Sequence, residues 1–216
     1  MTGSAANSPA LVVFAKEPTP GRVKTRLASA IGAQPAADVY RELTALTLAH
    51  AGAARRAGVL SRIEVWCSPH PDSHHFRRLA AATDATLHHQ ADGDLGARMT
   101  HALADALTRT CRVLLIGTDC PWLDPERLAL AATALASHDA VLGPAEDGGF
   151  VLVGACRPLP FAAIRWSSPH SLADTCACFD RARIRWMSLA MSWDVDEPAD
   201  LARWRALRDA IPAAIP

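Results

Sequence analysis

Basic side chains gather in one short segment near the start of the chain, FAKEPTPGRVKTRL at residues 14–27. Lys16 and Lys24 lie in it, and they are the only lysines among the chain's 22 Lys and Arg residues. A lysine ammonium reaches a phosphate as a compact charge, and an arginine contacts it with a fork of N–H groups. A glycine-containing loop that opens a helix adds unpaired backbone N–H groups. These features predict a loop that binds the phosphates of a nucleotide, formed by Lys16, Gly21, Arg22, Lys24, Thr25 and Arg26.

Carboxylates stand in two segments that suit a metal ion. Asp119 follows a strongly apolar run in the loop GTDCP, where Asp124 is the better candidate to cap the next helix. Asp194 and Asp196 alternate in WDVDEPADL, so both project to one side of an extended segment. Carboxylate oxygens bind Mg²⁺ or Mn²⁺, and such an ion bridges phosphate oxygens. Asp119 and Asp196 are therefore the predicted metal ligands, provided that the fold brings them together.

Two further segments combine glycine with acidic residues. In PAEDGG, residues 144–149, the glycines allow close approach of the backbone to a ligand, and the carboxylates accept from hydroxyl or amine groups. This turn is the predicted acceptor site, formed by Glu146, Asp147, Gly148 and Gly149. In QADGDLGARM, residues 90–99, backbone groups suit a nucleobase edge and a carboxylate suits ribose. The predicted nucleotide-binding residues there are Gln90, Asp94 and Gly96.

Each of these segments also has an interpretation without a ligand. The basic segment is alternatively a solvated loop, and Asp119 a turn or capping residue. Asp-Gly is the commonest signal of a hairpin turn, so EDGG is alternatively a plain turn. Asp94 and Asp196 each precede a predicted helix and are alternatively its cap. Only the positions of these side chains in the fold separate the two sets of interpretations.

The elements that must position these residues alternate between apolar strands and helices. Strands are predicted at 10–14, 63–67, 85–89, 111–117, 140–143, 150–154 and 183–187. Helices are predicted from about Arg22 and at 35–57, 73–82, 95–109, 125–137, 171–181 and 198–210. This alternation indicates a three-layer α/β/α fold whose mostly parallel sheet is covered on both faces. Ligands bind such sheets at the carboxyl ends of the strands, where the segments described above lie.

Composition limits the classes of function. Half of the residues are apolar and 20% are charged, which indicates a folded core. We expect a flexible leader at residues 1–9 and a single domain at 10–216. The net charge of zero disfavours nucleic acid and membrane surfaces as partners. No apolar run approaches the roughly 20 residues of a membrane span, and the N-terminus lacks the pattern of a signal peptide, so a cytoplasmic location is expected.

Six segments, in this order, resemble a bacterial family of small nucleotide-diphospho-sugar transferases commonly labelled glycosyltransferases. They are FAKEPTPGRVKTRL, QADGDLGARM, GTDCP, EDGGFVLVG, IRWS and DVDEPADL. The resemblance covers about residues 10 to 210 and implies the glycosyltransferase-A, Rossmann-like fold. Nucleotidyltransferases share that fold, among them the 2-phospholactate guanylyltransferase and molybdenum-cofactor types. By this resemblance the lysine loop holds the donor's phosphates, Asp119 and Asp196 match metal aspartates, and EDGG faces the acceptor. Glu197 stands where the family's V-D-T-P-E-D pattern has threonine.

Two transferase reactions fit these residues. In nucleotidylyl transfer, a small phosphorylated or acidic acceptor attacks an NTP and pyrophosphate leaves, with Lys24 and Asp119 at the reacting phosphate. In glycosyl transfer, the donor is an NDP-sugar and Asp147 is the candidate base. The basic loop favours the first reaction because a triphosphate carries more negative charge, whereas the family label favours the second. A catalytically inactive nucleotide-binding module is the third alternative.

Overall fold

The computed structural model of the chain describes residues 7–161 and 163–210. The strands are β1 (Ala10–Lys16), β2 (Arg62–Ser68), β3 (Thr86–His89), β4 (Val113–Ile116), β5 (Ala140–Pro144), β6 (Phe150–Ala155) and β7 (Trp186–Ser188). They form one sheet in the order β3-β2-β1-β4-β6-β5-β7. The strand β6 runs antiparallel to β4 and β5, and the other pairings are parallel. The prediction of a mostly parallel sheet is confirmed.

Helices cover both faces of this sheet. They are α1 (Thr25–Ile31), α2 (Ala33–Arg56), α3 (His74–Thr83), α4 (Leu95–Leu107), α5 (Pro125–Ala134), α6 (Ser171–Arg181) and α7 (Pro198–Ala210). Side chains of α2, α3 and α5 pack with Val13 of β1 on one face. Side chains of α4 and α6 pack with Val12 on the other. Successive β1 residues point to opposite faces and both faces are covered, which explains why the strand is apolar from Ala10 to Ala15.

Two elements begin three residues later than predicted. The first helix begins at Thr25 rather than near Arg22, because Lys24 has a left-handed backbone with φ 48° and ψ 46°. The last strand begins at Trp186 rather than at 183. Arg183 has φ 52°, and the N–H of Ile184 donates to the Phe179 carbonyl at 2.9 Å, so these residues close the end of α6.

The predicted leader and domain limits fall partly outside the described residues, which exclude 1–6 and 211–216. Within the leader, the Ser8 hydroxyl donates to the Gly58 carbonyl at 2.8 Å. A single domain spanning 10–216 stays a prediction. Across the described part of the chain, no helix has the length and apolar character needed to cross a membrane.

Gly154 of β6 leaves no room for a side chain. A Cβ at this position would lie 2.5 Å from Val141 Cγ1 and 2.8 Å from Leu114 Cδ2. We expect Gly154→Ala to lower the free energy of unfolding by about 1 to 3 kcal/mol, because overpacking forces buried neighbours to shift. Urea denaturation measures the change. At Gly117, where a Cβ would meet nothing within 4 Å, the same substitution should change it by less than about 1 kcal/mol. Equal costs at the two positions would contradict this account.

Candidate active site

A buried lysine lies against exposed carboxylates at the carboxyl end of the central strands. The Lys24 side chain is 3% exposed, and its Nζ lies 2.6 Å from Asp119 Oδ1 and 4.0 Å from Asp196 Oδ1. The carboxylate side chains are far more accessible, at 44% for Asp119 and 36% for Asp196. The fold therefore brings together the predicted catalytic lysine and both predicted metal ligands, and an incoming ligand can reach the carboxylates.

Apolar neighbours hold Lys24 in its unusual backbone conformation. Val23 packs against Ala37 and Tyr40 of α2, and Leu27 packs in a cluster with side chains of α2 and α7. A left-handed conformation in a non-glycine residue costs roughly 1 to 3 kcal/mol, so the flanking contacts must offset that cost. Because α1 has only seven residues, we attribute the positive charge here to side chains rather than to a helix dipole.

Backbone hydrogen bonds connect the loops that carry the carboxylates. The N–H of Val195 donates to the Asp119 carbonyl at 2.9 Å, which joins the loop after β4 to the segment before α7. The N–H of Glu146 donates to the Ser192 carbonyl at 3.0 Å, which joins the turn after β5 to the same segment. Residues far apart in sequence thus meet through ordinary sheet-like pairing, as expected where parallel strands end.

Asp196 faces the site rather than capping α7. Its Oδ2 accepts a hydrogen bond from Arg26 at 2.9 Å. The backbone N–H groups of Asp196 and Glu197 donate instead to Asp200 Oδ2, at 3.1 and 2.8 Å. Asp200 reaches back to the start of the helix as an acidic residue in the first turn often does. The alternative interpretation of Asp196 as the helix cap is therefore wrong.

Asp194 belongs to the same group of carboxylates, although sequence reasoning placed only Asp196 among the metal ligands. Asp194 and Asp119 line one small cavity of about 100 Å³. Burial, together with the negative charges of Asp147 and Asp119, raises the pKa of Asp194 to about 6 against the opposing charge of Lys24. The D-V-D alternation was the available signal. We call Asp119, Asp194 and Asp196 the carboxylate cluster.

The carboxylate cluster fits a hard cation on a structural criterion. Asp119 Oδ1 is buried and lies 2.6 Å from the Lys24 ammonium, its ion-pair partner. One ammonium balances only part of the negative charge of three carboxylates, and a bound cation would balance more of it. Three carboxylates are also the oxygen ligands that Mg²⁺ and Mn²⁺ prefer.

Tyr40, the chain's one tyrosine, positions two loops of the site and was missed by sequence reasoning. Its hydroxyl oxygen accepts from the Lys16 backbone N–H at 2.7 Å and from the Thr118 hydroxyl at 3.1 Å. Burial and, to a smaller extent, the negative charge of Asp119 raise the pKa of Tyr40 to about 12. The neutral phenol thus connects the end of β1 with the residue before Asp119.

The rest of the basic loop is open to solvent. Gly21, Arg22 and Thr25 are exposed, and so is Lys16 at the end of β1. Lys16 and Arg22 make no ion pair with any described residue, so their charges are available to a ligand. Gly21 has φ 78°, which a side chain would strain. The role of these residues in binding phosphate stays a prediction.

The segment QADGDLGARM has mainly internal contacts. The Gln90 side chain is buried and donates to the carbonyls of Trp66 at 2.8 Å and Ala15 at 3.3 Å. Asp94 accepts from the Ala97 N–H at 2.8 Å, so the capping interpretation is correct for its carboxylate. Gly96 admits the Trp166 ring, whose Nε1 would lie 2.4 Å from an added Cβ. Their predicted contacts with a nucleotide remain untested, and Gln90 and Asp94 are already engaged within the protein.

The turn EDGG joins two antiparallel strands, so the hairpin interpretation is correct, yet the turn also faces the site. Glu146 pairs with both Nη atoms of Arg203, at 2.8 and 3.1 Å. Asp147 Oδ1 accepts from the Gly149 N–H at 2.8 Å. A Cβ on Gly148 would lie 2.2 Å from the Pro169 carbonyl oxygen, so only glycine fits there. Asp147 remains the turn's available carboxylate near the cluster, while Glu146 is neutralised by Arg203.

The sequence of this chain matches a family model described as "Uncharacterized protein conserved in bacteria (DUF2064)" over residues 48–168. The chain belongs to this family. No curated protein matches it. The family's description gives no activity, so comparison with solved structures carries the further information.

Three solved structures show the fold. A protein from Desulfovibrio desulfuricans G20, described as a nucleotide-diphospho-sugar transferase, is 30% identical with a TM-score of 0.80, over 95% of this chain and 89% of that chain. The 4-diphosphocytidyl-2C-methyl-D-erythritol synthase of Anaerococcus prevotii is 10% identical with a TM-score of 0.62, over 94% and 99%. The inositol-1-phosphate CTP transferase of T. maritima is 12% identical with a TM-score of 0.61, over 97% and 98%. The predicted nucleotide-diphospho-sugar transferase fold is confirmed.

The raised pKa of Asp194 predicts a pH-dependent stability. Its value of about 6 in the folded protein exceeds the ordinary 3.8, so between these values the folded state binds more protons than the unfolded state. The free energy of unfolding therefore falls as pH rises through this window. In metal-free buffer, Asp194→Asn should be more stable than the parent above pH 6 by roughly 1 to 2 kcal/mol, allowing for partial exposure. The two should converge near pH 4. Urea denaturation across pH measures this, and a pH-independent difference would contradict it.

Proposed function

We propose that this protein is a metal-dependent transferase that uses a nucleotide donor, either an NTP or an NDP-sugar, and a small-molecule acceptor. The observation that carries this proposal is the buried Lys24 set against the carboxylate cluster at the carboxyl ends of the strands. Solved structures with this fold are named as transferases and synthases, which supports the class. The substrate has to be argued from the residues of the site.

Asp119, Asp194 and Asp196 would hold Mg²⁺ or Mn²⁺, which when bound neutralises charge on the donor's phosphates and leaving group. A bound cation would offset the repulsion among these carboxylates, which together with burial raises the pKa of Asp194. Asp196 is also held at 2.9 Å by the exposed Arg26, which fixes its orientation and leaves a guanidinium next to the place where phosphates would lie.

Lys24 is the expected donor to the reacting phosphate. Its ammonium is buried, so water screens it poorly and its attraction to a phosphate oxygen is stronger than that of an exposed lysine. It also needs no reorganisation, because Asp119 already holds it in place. The exposed Lys16 and Arg22 would contact the outer phosphates, where flexible side chains can follow a ligand.

Nucleotidylyl transfer from an NTP is the reaction that these charges support best. Lys24 and Arg26 already have carboxylate partners, whereas Lys16 and Arg22 add two unpaired positive charges at the same loop. A triphosphate carries more negative charge to balance them than a diphosphate does. An oxygen of the acceptor's phosphate or carboxylate would form a bond to the α-phosphorus. The bond from that phosphorus to the bridging oxygen of the β-phosphate would break, and pyrophosphate would leave with its electron pair. An acceptor that is already anionic needs no base, so Lys24 and the carboxylate cluster suffice.

Glycosyl transfer is the second candidate, and Asp147 is the observation that favours it. Asp147 lies close enough to Asp194 to raise its pKa, so it borders the carboxylate cluster. Its Oδ1 is oriented by the Gly149 N–H, as a base that removes a proton from an acceptor hydroxyl should be. The 30%-identical protein from Desulfovibrio desulfuricans is described as a nucleotide-diphospho-sugar transferase.

Melting the protein with each NTP and NDP-sugar, with and without Mg²⁺, tests the donor. With one NTP at a hundred times its dissociation constant, we expect a Mg²⁺-dependent rise of about 5 to 10 °C in the melting temperature. The double variant Lys16→Ala, Lys24→Ala should lose the shift, whereas Arg56→Gln, an exposed arginine at the end of α2, should keep it. A shift with an NDP-sugar alone favours glycosyl transfer. No shift with any donor would contradict the proposal.

Asp119→Asn separates an enzyme from an inactive binding module. In an enzyme that uses the carboxylate cluster, this change should remove the Mg²⁺-dependent part of the melting shift and lower turnover by at least about a hundredfold. Turnover is followed as pyrophosphate release from the stabilising NTP with phosphorylated or acidic acceptors. Donor binding that is unchanged in the variant, together with no turnover in the parent, would indicate a module that does not use metal.

A further inference from the structure

The basic loop already contacts the carboxylate cluster through an arginine. Arg26 Nη1 lies 2.9 Å from Asp196 Oδ2, and the other oxygen of Asp196 lies 4.0 Å from Lys24 Nζ. Both oxygens of this predicted metal ligand therefore face a positively charged group of the protein. A divalent cation that binds Asp196 has to compete with these groups, because positive charges around one carboxylate repel each other.

The two positively charged groups differ in their freedom to move away. The Lys24 side chain is buried and stays beside Asp119, its closer partner at 2.6 Å. The Arg26 side chain is 66% exposed. An ion pair in such an exposed position is weak, because water solvates both groups when they separate. Arg26 is thus the group that an incoming cation can displace from Asp196.

Glu197 offers the displaced guanidinium a second carboxylate. Its Oε1 lies 4.0 Å from the same Arg26 Nη1, and its side chain is exposed. The N–H groups of Asp196 and Glu197 both donate to Asp200 Oδ2, which fixes the backbone that carries the two carboxylates. Threonine occupies this position in the pattern of the family that the sequence resembles, so the second carboxylate is a feature of this chain.

We propose that Arg26 is an internal counter-cation, a positive group that neutralises Asp196 until a ligand displaces it, and that Glu197 is its positioning residue. Without a donor, Arg26 weakens the binding of a divalent cation at Asp196. When the donor's phosphates bind, their larger negative charge draws Arg26 away and releases Asp196 to the cation. The donor and the cation therefore bind cooperatively, and by linkage each strengthens the other by the same factor.

Because this cooperation operates in the proposed transferase site, it rests on the proposed function. It has a consequence that a simple phosphate contact lacks. Loss of the Arg26 charge should strengthen binding of the cation alone and weaken binding of cation and donor together. An arginine that only contacts phosphate would affect donor binding and leave binding of the cation alone unchanged.

Binding of Mn²⁺ without nucleotide, followed by electron paramagnetic resonance of the free ion, tests the competition at Asp196. Arg26→Gln should bind Mn²⁺ about three- to tenfold more tightly than the parent, because a competing charge is lost. Arg26→Lys, which keeps the charge, should lie closer to the parent. The matched control is Arg205→Gln, an exposed arginine of α7, which should change the affinity by less than about twofold because salt screens its charge.

Calorimetry of ATP, CTP, GTP and UTP, each with and without Mg²⁺, tests the cooperation. For an NTP that binds, the ratio of the dissociation constants without and with Mg²⁺ measures the coupling. This ratio should be at least about threefold smaller in Arg26→Gln than in the parent, and Arg205→Gln should keep the parent's ratio.

A double-mutant cycle tests whether Glu197 acts through Arg26. Glu197→Thr should weaken Mn²⁺ binding about two- to fivefold in the parent, because Arg26 then has only Asp196 as its partner. In the Arg26→Gln background, the same change should alter Mn²⁺ binding by less than about twofold. Equal effects in the two backgrounds would mean that Glu197 acts on the cation directly, which contradicts its role as a positioning residue.

The outcomes distinguish this proposal from the proposed function. Mn²⁺ affinity that is unchanged or lower in Arg26→Gln would overturn the counter-cation role and leave the transferase function standing. A parent protein that binds no Mn²⁺, with or without an NTP, would contradict the proposed metal dependence and the cooperation together. The variants should fold, since the Arg26 and Glu197 side chains are exposed.

Discussion

The ion pair between Lys24 and Asp119 is the interaction on which the candidate site depends. An ammonium that is 3% exposed is stable only beside a charge of opposite sign, and Asp119 lies 2.6 Å away. This requirement fixes the loop after β1 against the loop after β4. It also explains how a lysine keeps a left-handed backbone, since the energy of that conformation is offset by contacts on either side.

The sheet topology makes this interaction possible. Strand β1 lies between β2 and β4, so its carboxyl end is adjacent to the loop that carries Asp119. The segment from Ser192 to Asp196 then runs beside the ends of β4 and β5, held by backbone hydrogen bonds to Asp119 and Glu146. Four separate stretches of sequence thus contribute to one small volume, and the accumulated negative charge there suits cations and phosphates together.

Much of the fold followed from the sequence, because its signals are local. Uninterrupted apolar runs such as VLLI in β4 mark strands buried on both faces. Asp124 and Pro125 predicted the start of α5, and the Asp124 side chain caps the helix by accepting a hydrogen bond from the Arg127 N–H. The largest errors in where an element begins occurred at Lys24 and Arg183, where non-glycine residues have positive φ. A left-handed conformation at such residues depends on tertiary contacts that no local pattern contains.

The sequence by itself determined the order of strands and loops and predicted which loops carry the site, because apolar runs, glycines and charged side chains are local signals. It predicted Lys24, Asp119 and Asp196 as site residues but left their meeting to the fold. Only the tertiary structure decided what each carboxylate does, since that depends on which distant donor reaches it. The Asp200 carboxylate accepts hydrogen bonds from the N–H groups just before α7, so the Asp196 carboxylate faces the site instead of capping the helix. Glu146, in contrast, is neutralised by Arg203. Burial also depends on the whole fold, and it both shields the Lys24 side chain from solvent and raises the pKa of Asp194.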